Sequence, residues 1–311
     1  MKVSVKVPAS SANIGPGFDC LGVALPIYNI VTIEETVIPG TGVEINLMSN
    51  EENFDNMAFE NVPKDETSII YKAVELLYNS IGQEPSELKI NVETNIPIAR
   101  GLGSSSSVIV GGLYAANKLL GSPADEAALL AIAMEVEGHL DNVAPAILGG
   151  FVLSTQEEDG TISYSKLNWP DKWDITVCIP DFELSTSIAR SVLPAEVPMQ
   201  DAVFNTKHLG MLIQAINTQD EKLMKIALKD KLHQPYREKL VPGMKEIMNA
   251  LKHEEGVLGC VLSGAGPTLL VISHKYDVSK IKSVVKEIWQ AQNIKVDVRT
   301  LKVAEEGAEY C

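Results

Sequence analysis

The first half of the chain switches between the two-residue period of strands and the helical period of amphipathic helices. Alternation over Val3–Val7 predicts an opening strand, which Pro8 is expected to stop. Later strands are predicted over 28–36, 42–48, 87–93 and 149–155. Apolar residues at helical spacing predict helices over 65–81, 108–120 and 124–138. Ser122 and Pro123 suit the cap and first turn of the third helix.

The second half begins after a Pro- and Asp-rich stretch near 169–171, which precedes the strand WDITVCIP. Helices are predicted over 199–229, 242–254 and 278–292, and strands over 257–262, 268–273 and 294–302. The segment 155–170 is the expected boundary, which divides the chain into domains 1–165 and 166–311. Strands followed by packed helices predict an α+β fold in both.

Composition narrows the class of partner. The chain has 311 residues, 45% hydrophobic and 22% charged, which is typical of a globular protein with substantial cores. Its 26 basic and 41 acidic side chains give a formal net charge of −15. Such a chain would be repelled by a phosphodiester backbone, so we expect no nucleic-acid partner. A single nucleotide remains possible, because backbone N–H groups can hold phosphate locally.

The cysteine spacing predicts neither disulfide bonds nor metal sites, and the hydropathy pattern predicts no membrane-spanning segment. No CxxC or metal-ligand spacing joins the four cysteines, which are Cys20, Cys178, Cys260 and Cys311. The N-terminus lacks the apolar core of a signal peptide, and no apolar run is long enough to cross a bilayer. We therefore expect a cytoplasmic protein with no membrane partner.

The most informative segment is a Gly- and Ser-rich loop between a predicted strand and an apolar helix. Its glycines permit close approach of a ligand, and the helix that follows directs unpaired N–H groups and a positive dipole end at the loop. The candidate phosphate-binding residues are Pro97, Ile98, Ala99, Arg100, Gly101, Leu102, Gly103, Ser104, Ser105, Ser106 and Ser107. The alternative is a flexible turn with an ordinary serine cap. Walker A, Rossmann and protein-kinase signatures are all absent from the sequence.

Together with two other segments, this loop resembles the motifs of the GHMP kinases. The first is PASSANIGPGFD at 8–19, the second is the loop at 97–107, and the third is LSGAGPT at 262–268. Within that superfamily the chain is similar to the homoserine kinase family, as judged by EGHLDNVAPAILGG, STSIARSVLP and HQPYR. These strings span nearly the whole chain.

The resemblance implies a fold and an activity. The fold would be a ribosomal-protein-like β/α domain that binds ATP, followed by a ferredoxin-like α/β sandwich. The activity would be ATP-dependent phosphorylation of the hydroxyl of L-homoserine, with Mg²⁺, in threonine biosynthesis. Two alternatives stay open: another GHMP kinase with a mevalonate-like substrate, and an inactive nucleotide-sensing homologue. The sequence also leaves open a monomer or a homodimer, threonine feedback, and ATP against GTP.

The resemblance further implies which residues bind the amino acid: Asn13, Asp19, His139, Arg190 and Arg237. The chemistry is consistent, because a carboxylate can meet the ammonium group and guanidinium groups can clamp the carboxylate. Taken singly, each charged residue could be a cap or an ordinary surface side chain, and His139 could be structural.

Catalytic and metal-binding roles are implied in the same way. The catalytic candidates are Asp141, Asn142 and Thr186, with Asp141 as a possible proton acceptor. Ser107 and Glu137 are expected to bind Mg²⁺, with Ser104–Ser106 and Glu135 as fallbacks.

The third motif supplies Gly264 and Gly266, which would form a second anion site opposite the loop. Its alternative is a tight hairpin between two strands. One departure from the family pattern is Leu140, which stands where a proline is common. It frees φ at that position but changes no polar group.

Overall fold

A computed structural model describes residues 1–36, 42–49, 62–85, 87–274 and 278–311. The described strands are β1 Lys2–Ala12, β2 Leu21–Glu35, β3 Val43–Met48, β4 Leu88–Glu93, β5 Phe151–Gln156, β6 Ile162–Leu167, β7 Trp173–Pro180, β8 Val257–Leu262, β9 Leu269–His274, β10 Val296–Leu301 and β11 Glu309–Tyr310. The described α-helices are α1 Ile69–Ser80, α2 Ser104–Leu119, α3 Glu126–Glu137, α4 Leu140–Leu148, α5 Thr186–Ser191, α6 Met199–Thr218, α7 Glu221–Ala227, α8 Gln234–Arg237, α9 Met244–Leu251 and α10 Val278–Gln290.

These strands form two sheets. The first has the order β11-β1-β2-β4-β3, and β5 joins it by pairing with β2 while β6 pairs with β5. Most of its pairs are antiparallel, but β3 and β4 are parallel. The second sheet has the order β10-β7-β9-β8 and is antiparallel throughout. One mixed and one antiparallel sheet, each with packed helices, confirm the predicted α+β class.

The first core lies between the first sheet and helices α1 to α4. Val3, Val5 and Val7 are buried on one face of β1, as the alternation predicts. Helix α2 packs closely on them because Gly111 has no side chain there; a Cβ atom would lie 2.5 Å from Val31 Cγ2. At its N-terminal end, α2 lies next to Ser10 of β1, whose Oγ atom would be 2.0 Å from a Cβ atom at Gly103.

A second cluster of buried residues joins the two sheets. It contains Leu21 and Phe151 from the first sheet together with Trp173 and Val261 from the second. A third cluster, around Trp289, lies between the second sheet and helices α9 and α10. The shared cluster fixes how the two sheets face each other, and the functional cleft lies beside it.

Some predicted boundaries were wrong. Strand β1 continues past Pro8 to Ala12, because the register with β2 shifts between Pro8 and Ala9 and the lost donor falls at that irregularity. Strand β2 starts at Leu21, earlier than the predicted 28, so it begins two residues after the first motif ends at Asp19.

Helix starts also differ from the predictions. Helix α2 begins at Ser104 rather than 108, so the serine run forms its first turn. Helix α3 begins at Glu126, capped by Asp125, whose side chain accepts a hydrogen bond from the Ala128 N–H group. The predicted helix 199–229 is α6 followed by α7, because Gln219 adopts a φ of 54° between them.

The sheets change between Leu167 and Trp173, and β11 returns from the C-terminus to pair with β1. The division of the chain at 165 stays a prediction. Among the described helices, none has both the length and the apolar character needed to span a membrane.

Candidate active site

A cleft of about 360 Å³ lies where the first motif, the Gly/Ser loop, the third motif and helix α5 meet. The predicted site residues that line it are Asn13, Asp19, Pro97–Ser105, Glu137, His139, Asp141, Asn142, Thr186, Arg190, Arg237 and Gly264. Segments distant in sequence therefore face one space.

The Gly/Ser loop leads from β4 into α2. Gly103 is the N-cap of the helix, with a φ of 67°, and the first turn opens on the cleft through Ser104 and Ser105. The first N–H groups of a helix have no partner within the helix, so this end offers donors and a positive dipole end. Such a terminus binds phosphate oxygens well.

Gly101 is held between the loop and the third motif. Its φ is 73°, and a Cβ atom there would lie 2.3 Å from the Ser263 carbonyl oxygen. The Ser263 hydroxyl donates to the Gly101 carbonyl oxygen at 2.6 Å, and the Ser10 N–H group donates to the Leu102 carbonyl oxygen at 3.1 Å. The loop conformation therefore depends on both neighbouring motifs.

The loop is also tied to the segment that leads into α5. The Leu184 N–H group donates to the Ala99 carbonyl oxygen at 3.0 Å. Arg100 donates to the Asp181 carbonyl oxygen at 3.2 Å and lies 3.6 Å from a Glu183 carboxylate oxygen. The structure thus places the guanidinium of this candidate phosphate ligand against the second sheet.

The candidate metal ligands separate into two groups. Ser105 and Ser106 donate hydrogen bonds to Glu137 Oε1 at 2.6 and 2.8 Å. Ser107 donates instead to the Ser104 carbonyl oxygen and accepts from the Asn29 amide at 2.7 Å. Glu135 is exposed and is not part of the cleft lining.

Mg²⁺ needs few protein ligands when phosphates and waters complete its shell, and a serine–glutamate pair at the loop fits it. No cluster of three or more His, Cys, Asp or Glu side chains suited to a metal occurs in the described part of the chain. The oxygens that fit best are those of Glu137 and of Ser105 or Ser106.

The opposite end of the cleft carries paired charges. Arg190 donates two hydrogen bonds to the Asp19 carboxylate, at 2.8 and 3.1 Å. The hydrogen bond to Asp19, which outweighs partial burial, raises the pKa of Arg190. Asn13 accepts from the Asp19 N–H group at 3.0 Å and donates to the Gly264 carbonyl oxygen at 2.9 Å. Asp19 is thereby fixed from both sides.

Arg237 is a buried cation at the same end. Only 2% of it is exposed, and its Nε and Nη1 atoms donate to the carbonyl oxygens of Ala189 and Gly264, both at 3.1 Å. Burial is the main cause that lowers its pKa, with the nearby charge of Arg190 adding to it. The Phe18 ring lies 5.4 Å from this guanidinium and 5.8 Å from that of Arg190, within cation–π range.

His139 and Asp141 lie at the start of α4, between the two ends. The Asp141 carboxylate is buried and accepts a hydrogen bond from His139 Nδ1 at 2.6 Å. Burial lowers the pKa of His139, but the bond to Asp141 and the charges of Asp141 and Glu137 outweigh it, so the pKa is raised. Asn142 accepts from the Ser10 hydroxyl at 2.9 Å, and Thr186 is the first residue of α5.

The third motif uses its backbone mainly for internal contacts. The Gly264 N–H group donates to the Ala12 carbonyl oxygen at 3.0 Å, and the Gly266 N–H group donates to the Ser263 carbonyl oxygen at 2.8 Å. The Gly264 N–H group therefore holds the turn against the first motif, the Gly266 N–H group closes the turn itself, and Ala265 lines the cleft. A second anion site built from Gly264 and Gly266 stays a prediction.

Sequence reasoning missed supporting residues. Asn29 accepts from the N–H groups of Asn95 and Ile96, which fixes the entry to the loop, yet no local pattern singles it out within β2. Phe18 and Ser10 stood inside the first motif without an assigned role. His233 precedes Arg237 by four residues, a spacing at which side chains on one helical turn can meet.

Comparisons with known proteins agree with this architecture. The sequence matches the family described as GHMP kinases N terminal domain over residues 68–150 and GHMP kinases C terminal over 212–291. Homoserine kinase from Trichormus variabilis is 42% identical, and the match covers 98% of each chain. Homoserine kinase from Caldicellulosiruptor saccharolyticus is 43% identical over 88% of this chain and 85% of that relative. The crystal structure of homoserine kinase from Cytophaga hutchinsonii superposes with a TM-score of 0.88 at 30% identity, covering 100% and 97%.

Proposed function

This chain belongs to the homoserine kinase family of the GHMP kinases, and we propose that it transfers the γ-phosphate of ATP to the side-chain hydroxyl of L-homoserine. The product is O-phospho-L-homoserine, an intermediate of threonine synthesis. One observation carries the proposal: a helix N-terminus suited to phosphate and a set of charges suited to an amino acid line one cleft.

The nucleotide phosphates bind at the first turn of α2. The N–H groups near Gly103, Ser104 and Ser105 donate to phosphate oxygens, and the helix dipole favours their negative charge. The wider, apolar part of the cleft, which Val92 and Val108 line, receives the nucleoside. Overall negative charge does not oppose this binding, because the donors are local backbone groups.

Glu137 with Ser105 or Ser106 would hold Mg²⁺ beside the phosphates. The chemistry that the ion supplies when bound is neutralisation of charge on the transferring phosphoryl group. Ser107, buried against Asn29, supports the helix from behind in this arrangement. Our proposal therefore places Mg²⁺ on Ser105 or Ser106 and not on the predicted ligand Ser107.

L-Homoserine binds at the charged end. Its ammonium group meets the carboxylate of Asp19, and its carboxylate meets Arg190 and Arg237. Without substrate, Asp19 and Arg190 pair with each other. The zwitterionic substrate would replace this one ion pair with two, between its ammonium group and Asp19 and between its carboxylate and the arginines. A ligand with only one of these charges would leave a partner unpaired, which favours amino acids over simple alcohols.

Transfer then needs the substrate hydroxyl in line with the γ-phosphorus. The hydroxyl oxygen forms the new P–O bond while the bond to the β-phosphate oxygen breaks, releasing ADP. Asp141, held by His139, is our candidate acceptor for the hydroxyl proton. Asn142 and Thr186 line the same space and position the hydroxyl. Positioning and electrostatic stabilisation supply most of the rate enhancement in such transfers.

A coupled ADP-release assay on the purified chain tests the proposal, with L-homoserine, mevalonate and L-serine as substrates. We expect turnover with L-homoserine at a kcat/KM at least about a hundredfold above either of the others. Preference for mevalonate would assign a different alcohol to the same site. Folded protein that binds ATP and turns over none of them would indicate a nucleotide sensor.

A further inference from the structure

The buried guanidinium of Arg237 needs partners that fix its direction. A buried charge is costly unless it is paired or fully hydrogen-bonded. Two of its contacts are carbonyl oxygens, and the third is a histidine: Nη1 lies 3.3 Å from His233 Nδ1. His233 is fully buried and belongs to none of the candidate catalytic or binding residues.

The surroundings of His233 dictate its protonation. Its Nε2 atom lies 2.8 Å from the Gly15 carbonyl oxygen, which can only accept, so Nε2 carries the proton. Its Nδ1 atom faces a guanidinium N–H group, which can only donate, so Nδ1 carries no proton and accepts. Burial lowers the pKa of His233, although the charge of Asp230 opposes this, and the neutral ring is favoured. The imidazole is therefore a neutral Nε2–H tautomer with both nitrogens in use.

His233 thus bridges Gly15 and Arg237 through hydrogen bonds, and both of these residues belong to the amino-acid end of the cleft. Gly15 lies in the first-motif turn between Asn13 and Asp19, and that turn is strained: Asn13, Ile14 and Gly15 have φ angles of 72°, 43° and 71°. A β-branched residue such as Ile14 rarely adopts a positive φ, so surrounding contacts must hold it there. The hydrogen bond from His233 to Gly15 is one such contact.

His233 is itself held by a built network. The Asp230 carboxylate accepts hydrogen bonds from the N–H groups of His233 and Gln234, at 3.0 and 2.7 Å, and from the Asn205 amide at 2.7 Å. The Phe18 ring stacks on the imidazole with a centroid distance of 5.2 Å and an interplanar angle of 18°. The ring cannot rotate without breaking several of these contacts.

We propose that His233 is a positioning residue that joins the first-motif turn to Arg237 and so sets the distance between the ammonium-binding Asp19 and the carboxylate-binding guanidinium. The claim rests on the proposed function, since it takes Arg237 to bind the substrate carboxylate. His233 touches neither substrate nor nucleotide in this scheme. It determines which amino acids fit by fixing two charges relative to each other.

Two variants separate the two halves of the bridge. In His233→Asn, the amide oxygen can replace Nδ1 as acceptor for Arg237, but the bond to Gly15 is lost. In His233→Gln, the amide nitrogen can replace Nε2 as donor to Gly15, but the acceptor for Arg237 is lost. His253→Gln is the matched control, because His253 is exposed and lies two residues beyond the end of α9. Steady-state kinetics with L-homoserine and ATP are measured for all of them, with thermal unfolding as a check of folding.

We expect His233→Gln to raise the KM for L-homoserine by about tenfold or more, since a buried guanidinium loses an acceptor. The kcat and the KM for ATP should stay within about threefold of the native values. His233→Asn should retain a lower KM for L-homoserine than His233→Gln, and His253→Gln should match the native protein. A KM for L-homoserine that stays at the native value in both His233 variants, or a parallel loss of every parameter, would overturn the positioning role.

A measurement on the unmodified protein keeps the inference testable if His233→Gln does not fold. Nitrogen-15 NMR of histidine-labelled protein should show His233 as the neutral Nε2–H tautomer, and a proton on Nδ1 would refute the bridge. If the tautomer is as expected but the native protein does not phosphorylate L-homoserine, the proposed function fails and the bridge stands. If the native protein phosphorylates L-homoserine but Nδ1 is protonated, the proposed function stands and the bridge is refuted.

Discussion

The two ends of the cleft differ in the groups that line them, which are mainly backbone groups at one end and charged side chains at the other. At the proposed phosphate end, we expect backbone N–H groups, tight glycine turns and a helix dipole to bind the ligand, and they come from one continuous stretch around Gly101–Ser107. At the proposed amino-acid end, we expect side chains to bind the ligand, and partners such as Asp19 and Arg190 are 171 residues apart. The first end is therefore sensitive to backbone shape, and the second to charge and to the contacts that align charges.

The largest effect should come from adding one methyl group at the phosphate end. In Gly101→Ala the new Cβ atom would meet the Ser263 carbonyl oxygen at 2.3 Å, at a φ of 73°. We expect a loss of about 2–4 kcal/mol in the free energy of unfolding, together with loss of ADP release. Urea unfolding and the coupled assay measure the two.

Gly121→Ala is the matched control for that change. Gly121 has a φ of 83° but no atom within 4 Å of an added Cβ atom, so it reports the backbone strain alone. Its cost should be about 1 kcal/mol, with activity retained. Equal effects at Gly101 and Gly121 would contradict the role given to the contact with Ser263.

At the amino-acid end, Asp19→Asn should act on one substrate only. An amide cannot neutralise the ammonium group, so we expect the KM for L-homoserine to rise by about 10- to 100-fold while the KM for ATP stays nearly constant. Asp297→Asn, at an exposed ion pair with Arg299, is the control and should have no effect on either. A mevalonate-type kinase would tolerate Asp19→Asn, which makes the variant a second discriminator of substrate class.

The metal ligands at the phosphate end can be separated by single-atom changes. Glu137→Gln should raise the Mg²⁺ concentration needed for half-maximal activity by about tenfold, and Ser106→Ala should raise it less. Ser107→Ala should leave the Mg²⁺ requirement unchanged and lower the melting temperature instead, because its hydroxyl bonds Asn29 and not Glu137. Titration of activity with Mg²⁺ decides between these ligands, and a changed requirement in Ser107→Ala would restore that residue as the ligand.

The smallest effect concerns pH. The raised pKa of His139 means that the folded protein holds its proton more tightly than the unfolded chain does, owing to Asp141 and Glu137 despite burial. The stabilisation is fully present below the unfolded pKa of about 6.5 and is lost as pH rises through the folded value. The stability difference between the native protein and His139→Gln should therefore shrink between pH 6 and pH 9 in urea unfolding. A difference that grows with pH would contradict the sign.

The sequence predicted more of the phosphate end, which comes from one continuous segment, than of the amino-acid end, which comes from distant segments. The loop between β4 and α2 was predictable, because a Gly/Ser run between a strand and an apolar helix is a local signal, and its binding of phosphate stays a prediction. Which serine approaches Glu137 was not, since this depends on the phase of α2, and its start at Ser104 directs Ser105 and Ser106 to Glu137 and Ser107 to Asn29.

At the amino-acid end, the sequence predicted the residues but not their arrangement. Asp19, Arg190 and Arg237 could be chosen from matching strings, but their pairing depends on how two sheets meet. The support from His233 and Asp230 is a tertiary arrangement with no sequence signature of its own. Strand β1 likewise runs through Pro8 only because β2 accommodates a register shift there.

The most direct test of the account is a crystal structure with a non-hydrolysable ATP analogue, Mg²⁺ and L-homoserine. We expect the β- and γ-phosphates at the first turn of α2, the ammonium group on Asp19, and the hydroxyl oxygen in line with the γ-phosphorus. Phosphates bound away from Gly101–Ser107, or an amino acid that leaves the Asp19–Arg190 pair intact, would contradict it.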